Sequence, residues 1–313
     1  MQTAAGLAAG AAASMAVPAY AAEAAARRAV RKGNIKQAIA IWCFRDAGNG
    51  KVTWTLEELC KQAVRLGVPA LDVVQPSEFP VLRQHGLVAA CSTSHLFIRG
   101  MNNKMHHDEC ITALKDSIEA CSAAGVPNVI TFTGFLDTTP EGLRKVGEQA
   151  TGDERGSRVT PEEGIANCVA GYKQVAGLAE KKGVTICLEP LNTRDAVPMK
   201  GHPGYQGDHI DICMDIIKQV ASPGLKLLFD VYHIQVMDGD IIRRIRELKD
   251  YIGFVQIAGN PGRGEPDETQ EINYPAVMKA FLEVGYDGYV AHEWIPTGDM
   301  TRNLAKAVAL MDV

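Results

Sequence analysis

Glu189, Asp230, Gln256 and Glu293 each close an apolar, strand-like run: Val184-Thr-Ile-Cys-Leu-Glu189, Leu225-Lys-Leu-Leu-Phe-Asp230, Phe254-Val-Gln256 and Tyr289-Val-Ala-His-Glu293. A charged or amide group at the end of a buried strand is costly unless something pairs with it. Three carboxylates and one amide oxygen make a hard, oxygen-rich donor set, suited to one Mg²⁺ or Mn²⁺ and open to Co²⁺ or Zn²⁺. Converging carboxylates without a cation would repel one another and raise each other's pKa. The blander arrangement, with some of them paired to Arg or Lys inside the fold, fits less well because all four end consecutive strands.

Further polar groups stand near this set in the sequence. His233 follows Asp230 in Asp-Val-Tyr-His and, by alternation, points away from Tyr232. Arg263 and Glu265 lie in Asn260-Pro-Gly-Arg-Gly-Glu-Pro266, just beyond Gln256, and Asn192 follows Glu189 in Glu-Pro-Leu-Asn. His95 ends a strand in Ser92-Thr-Ser-His; a histidine in a loop is as often merely hydrogen-bonded as functional. His233, Arg263, Glu265, His95 and Asn192 form the substrate-binding candidates. Trp42, at the end of the first strand, is equally suited to lining a pocket or packing in a core. His106, His107, His202 and His209 carry weaker cases.

To gather these groups, the chain needs elements that bring strand ends together. Strands are predicted at 37–43, 70–74, 87–92, 128–133, 184–189, 225–230, 253–258 and 288–293. Helices are predicted near 55–66, 77–85, 105–124, 161–182, 208–220, 239–250, 274–284 and 299–311. Thr55 before Leu-Glu-Glu58 and Thr160 before Pro161-Glu-Glu163 are N-cap signals. Gly67, Gly86, Gly125, Gly183 and Gly285 fall where helices want a left-handed C-terminal residue. Eight alternating pairs predict an α/β (β/α)₈ TIM barrel in a single domain over 34–313, whose chemistry collects at the C-terminal strand ends. The longest interruption, Gly134 to Arg158, follows strand four and is expected to lie over the active site.

Composition narrows the function class. The 313 residues carry a net charge of −5 and no extended basic run, which gives no footprint for nucleic acid. No strongly apolar run after residue 35 is long enough for a membrane span. Residues 1–33 differ: Gln2 to Ala26 is mostly Ala and Gly, and Ala19-Tyr20-Ala21 fits a small-x-small cleavage signal. Thr3-Ala-Ala-Gly-Leu-Ala-Ala-Gly10 resembles the hydrophobic region of a twin-arginine export signal without its basic n-region. Export to the periplasm or beyond is therefore expected, with a cytoplasmic location or a simple Ala-rich tail as the alternatives. Eight cysteines with no C-x-x-C pair predict buried free thiols. The helix faces are compatible with a homo-oligomer and do not specify one.

Asp230-Val-Tyr-His-Ile-Gln-Val-Met-Asp-Gly239, Gly253-Phe-Val-Gln-Ile-Ala-Gly-Asn-Pro-Gly-Arg-Gly-Glu-Pro266 and Glu271-Ile-Asn-Tyr274 closely resemble hydroxypyruvate isomerases, members of the xylose isomerase-like superfamily. The resemblance runs from about Gln37 to Pro296 and is most specific over 225–274. It implies a barrel holding one divalent cation through Glu189, Asp230, Gln256 and Glu293. It further implies that Glu189 and Glu293 are the catalytic, proton-transferring pair, and that His233 and Arg263 bind substrate. Many relatives have His where this chain has Gln256, a harder ligand that favours Mg²⁺ or Mn²⁺.

The implied reaction interconverts hydroxypyruvate and tartronate semialdehyde, or a similar short α-hydroxycarbonyl, through an enediolate. Arg263 would pair with the substrate carboxylate. The alternative is a ketose 3-epimerase or sugar isomerase acting outside the cytoplasm, and a lyase or dehydratase on a keto-polyol would use the same enolate chemistry. DNA repair nucleases share the barrel, but they need a basic groove and more histidine ligands. A non-catalytic sugar-binding protein would not need two glutamates at one cation.

Overall fold

The computed structural model describes residues 28–45, 53–147 and 156–313. Eight parallel strands run β1 Lys36–Ala40, β2 Ala70–Asp72, β3 Val88–Ala89, β4 Asn128–Thr131, β5 Thr185–Leu188, β6 Leu225–Asp230, β7 Ile252–Ile257 and β8 Tyr289–His292. They pair in the order β3-β2-β1-β8-β7-β6-β5-β4. A parallel bridge from Ser92 to Val129 joins the β3 and β4 edges and closes the sheet, while one from Val74 to Ser92 extends the β2–β3 pairing. The predicted barrel is thus formed, and closure removes the edge strands that an open sheet would leave unpaired.

Strand periodicity decides what enters the barrel. Successive side chains alternate between faces, so Leu71, Ile186, Leu188, Leu227, Phe229, Val255, Ile257 and Val290 join the large outer core beneath the helices. Ala70, Cys187, Leu228, Phe254 and Ala291 fill the interior. One step of two further along each strand lie Asp72, Glu189, Asp230, Gln256 and Glu293, all buried. The polar groups are thus the top interior layer, stacked on an apolar layer that supports them.

The outer helices follow their local signals. Thr55 and Thr160 form capping boxes with Glu58 and Glu163, each contributing about 1 kcal/mol. Gly67, Gly125 and Gly183 are left-handed caps. The predicted helix over 161–182 is two, α1 Pro161–Tyr172 and α2 Ala176–Lys182, broken at 173–175. Strand β1 is shorter than predicted, and Trp42 lies on the helix Ile41–Arg45 that follows it. That turn is held by Phe44, which stacks on Trp54 at 5.6 Å and meets Trp294 edge-on at 5.0 Å.

A further helix, α3 Val231–Met237, follows Asp230 in a segment to which no element was assigned from the sequence. Asp230 Oδ1 accepts the backbone N–H groups of Tyr232 and His233 at 2.8 and 3.0 Å. This cap turns an apolar, β-branched segment helical. The long interruption after β4 contains a short helix, Pro140–Lys145. Its described residues pack on 204–206 through a Phe135–Tyr205 bridge; residues 148–155 lie outside the described residues.

At the N-terminus, residues 29–33 are tied to the barrel, although the sequence grouped them with the Ala-rich segment. The N–H groups of Arg31, Lys32 and Gly33 converge on the Asp312 carboxylate at 2.6–2.7 Å. Residues 1–27, including the expected cleavage signal, lie outside the described residues. All eight cysteines are buried and unpaired. No helix among the described residues is long and apolar enough to cross a membrane.

Candidate active site

Register brings the four predicted ligands to one end of the barrel. Asp230 and Gln256 are direct partners on β6 and β7. Ligand atoms of Glu189, Asp230 and His233 lie within 4.8 Å of one another. Arg263 connects the last member: its Nη2 is 2.5 Å from Glu293 Oε2 and 3.6 Å from Asp230 Oδ2. Above this layer opens a cavity of about 540 Å³. Trp42, His95, Phe97, Phe132, Met199 and His202 stand in its wall with Glu189, Arg263 and Glu293.

A divalent cation suits the residues present. Glu189 Oε1 and Gln256 Oε1 are buried with no hydrogen-bond partner among the described residues. Each such atom costs about 1–3 kcal/mol, and both belong to the donor set the sequence singles out. Burial and then the Glu293 and Asp230 charges push the Glu189 carboxyl well above its ordinary range. Burial likewise pushes Asp230 up to about 7, with Arg263 opposing the shift. These are the marks of an acidic site short of positive charge.

His233 presents a hydrogen-bond donor, not a lone pair, to the acidic cluster. The Asn192 backbone N–H donates to His233 Nδ1 at 3.0 Å. Burial, then Arg263, depresses the imidazolium form well below the usual histidine range. A neutral ring whose Nδ1 accepts must carry its proton on Nε2. Nε2–H is therefore a donor, buried, 3.8 Å from Asp230 Oδ2 and free of a hydrogen-bond partner among the described residues. The helix α3 puts it there, since positions three apart on a helical turn share a face.

Arg263 is engaged more deeply than its sequence neighbourhood suggests. Besides Glu293 it donates from Nη1 to Met199 O at 2.7 Å, and its guanidinium carbon sits 5.1 Å from the Trp42 ring centre and 5.8 Å from that of Tyr232. Burial opposes its charge, but Glu293, Asp230 and Glu189 raise its pKa overall. The loop that presents it is tight: Gly259 N donates to Gly264 O at 2.8 Å, and Arg263 itself has φ +54°, a region L-residues seldom enter without constraint. Trp42 Nε1 donates to Glu293 Oε1 at 2.8 Å, so both Glu293 oxygens are held. Trp42 is thus a wall residue of the site.

Two predicted substrate-binding residues are engaged in hydrogen bonds within the loops and do not line this cavity. Glu265, expected near the substrate, accepts from Thr297 N and Oγ1, Gly298 N and Asn303 Nδ2 at 2.8–3.2 Å. Its carboxylate fastens the loop after β8 and does not line the cavity. Asn192 is a loop organiser: besides holding His233, its Nδ2 donates to Lys200 O at 2.8 Å and its Oδ1 accepts from Asp195 N at 3.1 Å.

His95 does stand in the wall, with Nδ1 donating to Leu96 O at 3.1 Å and Nε2 accepting from Thr131 Oγ1 at 2.8 Å. Burial pushes it down to about 4, so it offers shape and a neutral ring rather than a titrating group. None of the described residues of the Gly134–Arg158 loop lines the cavity.

One site residue escaped the sequence, and another carried only a weak case there. Asp72 closes β2 as the ligands close their strands, and accepts from Gln256 Nε2 at 2.9 Å across the barrel. The same pattern, Ala70-Leu-Asp72, could have found it. His202 is buried in the wall, its ring 4.4 Å from that of Phe97; burial, then Arg263, pushes it down to about 3. Only the long loop after Glu189 brings it there, and no local signal marks it.

Comparison with known proteins gives the family and the fold. Residues 80–312 match the model of the xylose isomerase-like TIM barrel family. The chain is 37% identical over 143 residues to a 2-oxo-tetronate isomerase of Cupriavidus necator, covering 44% of this chain and 52% of that one. It is 33% identical over 131 residues to a hydroxypyruvate isomerase of Escherichia coli, covering 42% and 48%. It thus spans about half the length of these curated relatives. In fold it is similar to an AP endonuclease, family 2, from Brucella melitensis, with a TM-score of 0.69, 23% identity and coverage of 87% and 98%. It is similar also to a D-psicose 3-epimerase from Clostridium cellulolyticum, with a TM-score of 0.63, 15% identity and coverage of 89% and 96%.

Proposed function

Because the chain belongs to the xylose isomerase-like TIM barrel family, we propose that it is a divalent cation-dependent isomerase of a short α-hydroxycarbonyl. Hydroxypyruvate, interconverted with tartronate semialdehyde, is the leading substrate. The observation that carries the reading is the pair of unpartnered buried oxygens, Glu189 Oε1 and Gln256 Oε1, set among Asp230, Glu293 and the His233 Nε2–H donor.

Glu189, Asp230, Gln256 and Glu293 would hold the cation, with Mg²⁺ or Mn²⁺ favoured by the all-oxygen set. When bound, it supplies the positive charge that stabilises an enediolate. Glu189 and Glu293 move the proton, one removing it from the hydroxyl-bearing carbon and one returning it to the neighbouring carbon. His233 Nε2–H donates to a substrate oxygen. Arg263 fixes Glu293 and adds a fixed positive charge beside the substrate, which favours an acidic substrate.

A second reading rests on the cavity. At about 540 Å³ it lies within the roughly 300–1,000 Å³ range of small-molecule sites and is roomier than a three-carbon acid requires. A keto sugar outside the cytoplasm, epimerised by the same two glutamates, fits that volume and the export expected of the N-terminal segment. Turnover of chelated, then Mg²⁺- or Mn²⁺-loaded protein on hydroxypyruvate and a panel of ketoses separates the readings. Conversion of hydroxypyruvate supports the first, and conversion of ketoses alone supports the second. Full activity after chelation would overturn the cation dependence of both.

A further inference from the structure

We propose that Asp72 is the positioning residue that sets the polarity of the Gln256 amide, turning its carbonyl oxygen toward the cation; this rests on the cation reading above. Gln256 is the one neutral member of the donor set, and an amide is ambiguous. It ends in an oxygen, which can bind a cation, and in an NH₂ group, which cannot. Nothing in Gln256 itself chooses which end faces the site.

The choice is made across the barrel. Asp72 Oδ2 accepts Gln256 Nε2 at 2.9 Å, with both residues completely buried. Burial and the Glu293 charge raise the Asp72 pKa while its bonds to Gln256 and Val73 oppose the shift; as a carboxylate Asp72 offers only acceptors, so the NH₂ group faces it and the oxygen faces away. Gln256 Oε1 is left buried and unpartnered beside Asp230, its register neighbour. Asp72 is fixed in turn: its Oδ1 accepts the Val73 N–H at 2.7 Å. Val73 sits at φ +56°, a conformation that a β-branched residue adopts only under constraint. Both carboxylate oxygens are thus committed to donors, one holding a strained turn and the other orienting a ligand. Outer groups that orient ligands in this way govern cation affinity.

The test exchanges the two groups. In Asp72→Asn only one side-chain oxygen remains for two donors. With that oxygen on Val73 N–H, the new NH₂ group faces Gln256 and flips its amide, so that NH₂ points at the cation. In the double variant Asp72→Asn/Gln256→Glu, the new amide donates to one oxygen of the new carboxylate, leaving the other oxygen for the cation, and the total charge is unchanged. Full-length wild type and both variants are titrated with Mn²⁺ after chelation, by electron paramagnetic resonance of free Mn²⁺, with circular dichroism checking the fold.

The expected result is a loss of roughly 10–100-fold in Mn²⁺ affinity for Asp72→Asn and recovery of most of it in the double variant. A merely structural role for Asp72 would give the double variant no more gain over Asp72→Asn than Gln256→Glu alone gives over wild type, and that single variant is titrated beside them. Unchanged affinity in Asp72→Asn, or a folded double variant no tighter than Asp72→Asn, overturns the proposal. If Asp72→Asn does not fold, the double variant decides alone: folded with near wild-type affinity supports the assignment, and anything else overturns it. A wild type that binds no Mn²⁺ overturns the cation reading together with the proposal, and the wild-type titration tells that failure apart.

Discussion

The Asn192 backbone N–H reaches His233 Nδ1 at 3.0 Å, and that one bond makes the buried imidazole a hydrogen-bond donor at Nε2. A ligand needs a lone pair there; a group that stabilises a developing oxyanion needs a proton. His233→Ala should therefore lower kcat by roughly 10²-fold and leave Mn²⁺ affinity near the wild-type value. A large loss of Mn²⁺ affinity instead would make His233 a ligand and reverse the tautomer assigned to it.

Glu293→Gln keeps an oxygen at the ligand position and removes the basic group. Turnover should fall roughly 10²–10⁴-fold while the variant still binds Mn²⁺. Full activity in this variant would remove Glu293 from proton transfer.

Arg263→Lys keeps the charge but loses the fork that spans Glu293 and Met199 O. A lysine cannot reproduce both bonds, so kcat should fall and KM should rise together. A pure KM effect, confined to carboxylate substrates, would show that Arg263 serves the substrate rather than Glu293. Steady-state kinetics on one acidic and one neutral substrate distinguishes the two.

The pH response of the cation-free protein follows from Asp230 and Glu189. The folded pKa of Asp230 is raised from 3.8 to about 7, so the stabilisation from its protonated form is complete below about pH 4 and is lost as pH rises through 7. Glu189 shifts in the same direction. Cation binding must displace these protons. The rise in Tm on adding Mn²⁺ should therefore be larger at pH 8 than at pH 5.5, as read by differential scanning fluorimetry; an equal rise at both would exclude linkage through these carboxyls.

Glu265→Ala separates support from substrate contact. Losing four accepted hydrogen bonds at a buried carboxylate should cost about 2–3 kcal/mol, seen as a lower Tm in thermal unfolding. KM should stay close to wild type. A raised KM with an unchanged Tm would restore Glu265 to the substrate.

Much of the site was legible because strand periodicity is local. Glu189, Asp230, Gln256 and Glu293 announce themselves as polar residues closing apolar runs, and eight such units with caps at Thr55 and Thr160 give the barrel without any knowledge of contacts. Asp72 carried the same signal in a shorter run. Where local signals are weak, pattern was insufficient: alternation set His233 apart from Tyr232 but assigned no element after Asp230, where the Asp230 cap makes a helix that aims His233.

What only the tertiary structure decided are relations between distant residues. Glu265 and Arg263 are two positions apart in one loop, yet Arg263 turns inward to Glu293 while Glu265 turns to Thr297 and Asn303. Sequence proximity to a ligand could not tell them apart, because direction is set by backbone conformation at Gly262 and Arg263. The Asp72–Gln256 bond likewise joins residues 184 positions apart. The sequence by itself determines which atoms can carry charge, accept protons or bind a cation. Which of them meet, and with which end facing inward, depends on barrel closure, since only closure brings β2 opposite β7 and leaves each buried polar atom to find its partner there.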